Sequence, residues 1–214
     1  MATMTHQRKG VSSNAQAGKD FENQIIQFFN ENGFILEKQK KLKLGIKVLK
    51  EHAFDFGNDN ILIECKTHKW TETDGVPHGK LHGWVEAMYL FYLTPLKYKK
   101  IFIVDMDYNQ KKCKTLLDYF IEHYAYLIPD DVILIDYNTE TDDFEAYKFD
   151  SKSNIFIHFF AYDFWKYLKE KWFFYNLILC YIKNIGAVAH LARALQWHCR
   201  GSRFKSDQLQ KFKS

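Results

Sequence analysis

Three charged residues stand where a buried strand would carry apolar ones. They are Asp55 in "AFDF", and Glu64 and Lys66 in "ILIECK". Two carboxylates and an ammonium brought to one place suit phosphodiester hydrolysis. A hard cation such as Mg2+ takes oxygen ligands and keeps several waters, so one or two carboxylates and a substrate phosphate complete its shell. A metal held in this way polarises a phosphoryl oxygen and lowers the pKa of a bound water. A lysine beside it orients that water and stabilises charge as the transition state forms. The backbone carbonyl of Cys65, between the two functional side chains, is a further candidate ligand. Mg2+ is therefore the expected cofactor, with Mn2+ as a substitute.

Whether the three side chains meet depends on strand parity. Along a strand, side chains alternate between faces, so Leu62, Glu64 and Lys66 share one face and Ile61, Ile63 and Cys65 the other. A hairpin joining "FDF" to "ILI" with Asn58-Asp59 at its tip sets Phe56 across from Ile61 and Asp55 across from Leu62. Opposed residues share a face, and Asp55 becomes a diagonal neighbour of Glu64, about 7–8 Å away between Cα atoms. A loop of four residues keeps this parity and a loop of odd length breaks it.

The elements that must position this site follow from the apolar pattern. "NAQAGKDFENQIIQFFNENG" has helical spacing and a stop at Gly33. "FILEKQKKLKLGIKVLKE" is basic, partly alternating, and contains a strand. "HAFDF" and "ILIECKTH" are strands around the turn signal "GNDN". "KLHGWVEAMYLFYL" is a helix ended at Thr94-Pro95. "KKIFIVDM" is a buried strand, "KTLLDYFIEHYAYL" a helix, and "DVILIDYN" and "FEAYKF" are strands. This order predicts an α/β fold with a mixed central β-sheet flanked by helices.

With 47% apolar residues among 214, the chain has enough to bury one substantial core. That domain is expected over residues 1–150. An aromatic-rich helical extension follows over 151–185. The tail, 186–214, resembles the conceptual translation of a bacterial tRNA gene and reads as non-functional read-through. The rival reading of the tail is a short basic helix. The four cysteines show no CxxC spacing, which argues against a zinc ribbon and a disulfide scaffold. The first residues are polar, and "WFFYNLILCYI" is too short to span a bilayer. A cytoplasmic protein with no membrane partner is expected.

Asp55, followed by Glu64-Cys65-Lys66 on the next strand, resembles the PD-(D/E)XK nuclease superfamily, which includes many restriction endonucleases and Holliday-junction resolvases. The resemblance covers residues 18–138, and helix, hairpin, later helix and next strand come in the superfamily's order. The residue before Asp55 is Phe54 where the motif has proline. The resemblance implies a restriction endonuclease-like core (α-β-β-β-α-β) and a metal-dependent endodeoxyribonuclease of a restriction or other defence system. Asp55 and Glu64 would hold the metal and Lys66 would position the water. DNA is the implied partner, and a homodimer follows if both strands are cut. Glu22 lies about 20° from Phe29 and about 40° from Ile26 around the first helix. Members of the superfamily often carry a metal-contacting glutamate there, and by resemblance Glu22 takes that role.

Around this centre, Lys40, Lys41 and Lys43 are natural phosphate contacts. His68 and Trp70 are placed to line the substrate groove. His78 and His82 are spaced i, i+4, but Gly79 and the nearby loop argue against a shared helix face. Glu86 is expected at the surface. Two rival readings use the same residues: a catalytically inactive nucleic-acid-binding module on the same fold, and a surface ion network without metal affinity.

Overall fold

The computed structural model describes residues 14–169. Helix α1 (Asn14–Glu31) precedes strands β1 (Glu37–Leu44), β2 (Lys50–Gly57) and β3 (Ile61–Lys66). Helix α2 (His78–Leu93) crosses to β4 (Lys99–Asp105), and a two-residue ribbon, β5 (Tyr108–Asn109) with β6 (Lys114–Thr115), leads into α3 (Leu116–Tyr124). Strands β7 (Val132–Asn138), β8 (Asp143–Asp150) and β9 (Ile155–His158) and helix α4 (Ala161–Lys169) complete the described chain. The large sheet has the order β1-β2-β3-β4-β7-β8-β9. Its centre, β3-β4-β7, is parallel and its two flanks are antiparallel.

The parallel centre explains the unbroken apolar runs "ILI", "IFIV" and "VILI". Strands covered on both faces need apolar side chains at both parities. Ile63, Ile101 and Ile133 point to a layer with Phe21, Ile25 and Phe29 of α1 and Phe164 of α4. Leu62, Phe102 and Leu134 point the other way, to Trp84, Met88 and Phe91 of α2 and Phe120 of α3. Fully burying one such side chain contributes about 1.5–3 kcal/mol, so these two layers supply the main drive to fold. Among the described residues, no helix is long and apolar enough to cross a membrane.

The helix ends have local causes. Gly33 takes φ +84° just past α1, a conformation that costs glycine little. Helix α2 stops at Thr94 because Pro95 disfavours the helical region for its predecessor. Thr115 and Asp118 form a reciprocal capping box at the start of α3.

Three expectations change. The β2–β3 register pairs Phe56 with Ile63 and Gly57 with Leu62, not Phe56 with Ile61. Four residues, 58–61, therefore separate the paired Gly57 and Leu62, two more than expected, and Asn58 Oδ1 holds this wider turn by accepting hydrogen bonds from the backbone of Asn60 and Ile61, both 2.9 Å. Parity survives, and continuing this register sets Asp55 directly across from Glu64. Second, residues 155–158, expected to be helical, add a seventh strand that pairs with β8 before α4 begins. Third, His78 is the first residue of α2, so His78 and His82 do lie on one helix, and both are exposed. The read-through tail over 186–214, and the extension beyond residue 169, lie outside the described residues.

Candidate active site

The pairing of β2 with β3 stops at Phe56–Ile63. The next residue of β3 to face β2 is Cys65, and its N–H donates to the side chain of Asp55 at 2.7 Å, where a ladder would have used a backbone carbonyl. Phe54 sits in the α2 layer and Phe56 in the α1 layer, so the alternation of β2 slips at Asp55. The strands part there, and the gap is the site. A strand residue's N–H and C=O point to the same neighbour. The Cys65 carbonyl therefore faces the gap, in reach of the role expected of it.

Glu64 and Lys66 enter from the α2 side of the sheet, on the face of Leu62. Lys66 Nζ donates to Glu64 Oε1 at 2.6 Å. The carboxyl of Glu64 is nearly buried, with the residue 8% exposed, and its Oε2 has no hydrogen-bond partner. A buried, unpartnered carboxylate oxygen is costly unless a cation completes it. Burial raises the pKa of Glu64. The Lys66 ammonium opposes this, and the charge of Asp55 adds to it. For Lys66 burial pulls downward, but the charge and hydrogen bond of Glu64 outweigh it, and the net shift is upward. Lys66 is a cation at neutral pH.

Glu22 approaches from α1. It is half-buried, and burial, followed by the charge of Asp55, raises its pKa. The charges of Lys38, Lys66 and Lys19 oppose that rise. Asp55, Glu64 and Glu22 thus gather around one well-placed ammonium. Negative charge is in excess, and two of these carboxyls are held above their ordinary range. A divalent cation reverses that logic by favouring the ionised forms. Among the described residues, no group of three or more His, Cys, Asp or Glu side chains makes a metal shell by itself. Mg2+ does not require one, since waters and substrate oxygens fill most of its positions.

The other expected residues divide. Lys40 and Lys41, adjacent on β1, point to opposite faces. Lys40 Nζ lies 3.0 Å from Glu37 and 3.5 Å from Asp59, and Lys41 Nζ lies 2.8 Å from Glu51. The Lys41 pair is exposed, contributes little and exchanges readily for phosphate, whereas the Lys40 side chain is only 16% exposed. Lys43 is exposed on the face of Lys41. His68 is not a cation. Its Nδ1 accepts the indole N–H of Trp84 at 2.7 Å, which leaves Nε2 as the protonated nitrogen. Burial, with the charges of Lys80 and Lys66, pushes its pKa down to about 4. An NMR titration is expected to find His68 neutral down to pH 5; a midpoint near 6.5 would contradict the burial argument. Trp70, two residues beyond His68, borders a cleft of about 340 Å³ with Lys69, Asp107 and Lys111. Both its backbone and indole N–H groups are taken by Asp107, at 2.6 and 3.0 Å. Glu86 is exposed, as expected.

One residue had no signal in the sequence. His52 is three positions before Asp55, and simple alternation puts it on the opposite face. The slip at Asp55 cancels that. The ring of His52 packs on Phe54 at 4.7 Å, and its Nε2 is buried without a partner. Burial lowers its pKa, and it also senses the charges of Asp55, Lys66 and Glu86.

Comparison of the chain with protein-family models, with curated proteins and with solved structures finds no match.

Proposed function

We propose that the protein is a metal-dependent endodeoxyribonuclease, with a restriction endonuclease-like core and an active site of the PD-(D/E)XK kind. The observation that carries this reading is the buried, unpartnered Oε2 of Glu64, next to Asp55 and bonded through Oε1 to Lys66. In a surface ion pair the second oxygen would be left to water. Asp55, Glu64 and the Cys65 carbonyl would hold Mg2+, or Mn2+ in its place, with Glu22 contributing directly or through water. The bound metal would polarise the phosphoryl oxygen and lower the pKa of a bound water. Lys66, protonated and tethered, orients that water and stabilises the charge that develops on the phosphate. Lys41 and Lys43, and Lys40 from the other face, hold the backbone of the DNA. His68, neutral and fixed by Trp84, offers an Nε2–H donor. A cytoplasmic restriction or defence nuclease, dimeric if it cuts both strands, is the role this chemistry fits.

The test pairs binding with cleavage. Calorimetry with Mn2+ is expected to show binding to the parent and at least a tenfold loss in Asp55→Ala and Glu64→Ala. Plasmid DNA is expected to be cut by the parent only when Mg2+ or Mn2+ is present. Unchanged metal affinity in both variants would sink the site assignment. Metal and DNA binding without cleavage would favour the inactive binding module.

A further inference from the structure

The hairpin of β1 and β2 carries a tip that the nuclease chemistry does not explain. Leu44 pairs with Lys50, and the loop between them is "GIKVL". Ile46 is 75% exposed, Val48 73% and Leu49 61%. Residues 38–51 contain six lysines and one glutamate. That excess of five exceeds the net charge of the whole chain, +4, so the rest of the sequence is slightly acidic. Within residues 14–169, which hold 20 basic and 24 acidic residues, this two-stranded ribbon is a concentrated positive patch.

The tip is a built turn. Gly45 has φ +151°, and a Cβ placed on it would lie 2.1 Å from the Val48 carbonyl oxygen. Only glycine permits that closure, and the closure holds the three apolar side chains outward. Lysines on an edge strand also keep it from pairing with a foreign sheet. That purpose calls for charge along the strand and gives no reason to display Ile46, Val48 and Leu49 beyond it.

We propose that this ribbon enters the minor groove of duplex DNA and wedges Ile46, Val48 or Leu49 between base pairs, kinking the substrate. The proposal rests on the nuclease reading for its substrate. Two-stranded ribbons of suitable charge enter DNA grooves, and apolar wedges there unstack a base step and bend the duplex. Lys43, Lys47 and Lys50 flank the wedge and meet the phosphates on either side. Along β2, Asp55 lies five residues, or about 17 Å, from Lys50. That is about half a turn of B-DNA, so the kink falls within one helical turn of the phosphate at the metal site.

The experiment uses the full chain, a duplex of about 30 base pairs labelled at both ends for energy transfer, and Ca2+ in place of Mg2+ so that binding is read without cleavage. A 2-aminopurine at successive steps reports unstacking in the parent protein and needs no variant. The parent is expected to bend the duplex and brighten one 2-aminopurine position. Ile46→Ser/Val48→Ser/Leu49→Ser is expected to lose both signals and roughly tenfold or more in affinity. Lys43→Gln/Lys47→Gln/Lys50→Gln is expected to reduce the slope of log affinity against log salt by about 2.7. A straight duplex with no brightened position, or bending retained by the serine variant, would overturn the proposal. So would tighter binding of the parent to phosphatidylserine-containing vesicles than to DNA, or a change of oligomeric state in the serine variant with bending intact. The two readings fail separately: bending without cleavage in Mg2+ refutes the nuclease and spares the wedge, and cleavage without bending does the reverse.

Discussion

Lys66→Ala is expected to cleave DNA about 10²-fold or more slowly than the parent, a loss typical of one electrostatic stabiliser of a transition state. The side chain is only 21% exposed and is tied to Glu64 Oε1 at 2.6 Å, so its ammonium is held in place before substrate arrives. Its raised pKa keeps it charged throughout the neutral range. On the nuclease reading, the ribbon lysines would meet many more phosphates in the ground state than Lys66 does. DNA affinity measured in Ca2+, which tolerates looser oxygen geometry, is therefore expected to change little. Removing Lys66 also strips Glu64 of its partner. A melting curve in Mn2+ is the control, because a bound cation compensates the stranded carboxylate. Lys66→Met repeats the test with the side-chain volume kept. Parental cleavage in both variants would return Lys66 to an ordinary ion pair. Loss of binding as complete as the loss of cleavage would make it a binding residue, and the inactive-module reading would gain.

Asp136→Asn is expected to stabilise the protein increasingly as pH rises from 5 to 8. Asp136 is fully buried on β7, on the face turned toward α3. Neither carboxyl oxygen has a hydrogen-bond partner, and the Thr115 hydroxyl is near but outside ordinary geometry. Burial raises its pKa to about 7, Thr115 opposes, the charges of Asp118 and Glu145 add, and Lys69 opposes. Because the folded pKa lies above the ordinary 3.8, the folded state binds this proton more tightly than the unfolded chain. The associated stability is fully present below pH 3.8 and is lost as pH climbs through about 7. The loss by pH 8 is on the order of 4 kcal/mol. Asparagine cannot ionise, so the variant escapes it. Denaturant unfolding of parent and variant at pH 5, 6.5 and 8 is the measurement. Parallel stability curves would mean that Asp136 finds a partner or a cation that keeps it ionised.

Much of this protein was legible because its causes are local. Period-four apolar spacing in "FENQIIQFF", unbroken runs in "IFIV" and "VILI", and the stops at Gly33 and Pro95 set helices and strands without reference to anything distant. Strand parity likewise set Glu64 and Lys66 on one face, and any even loop brought Asp55 toward them. By the same rule Lys40 and Lys41 had to point apart.

What remained hidden depended on contacts between segments. The hairpin register turned on one side chain, Asn58, whose oxygen took two backbone donors and lengthened the loop to four residues. The break in alternation at Asp55 has no pattern in "HAFDF", because it exists only where Cys65 offers its N–H from the next strand. That break brought the unpartnered His52 to the site and turned the Cys65 carbonyl toward it. "IFIH" read as part of a helix because β8, the edge that recruits it, is needed to make it a strand. The sequence alone determined which residues are charged, which are apolar and at what period. Only the tertiary structure decided which charges are deprived of water, because burial of Glu64 and Asp136 is set by helices that arrive from elsewhere in the chain.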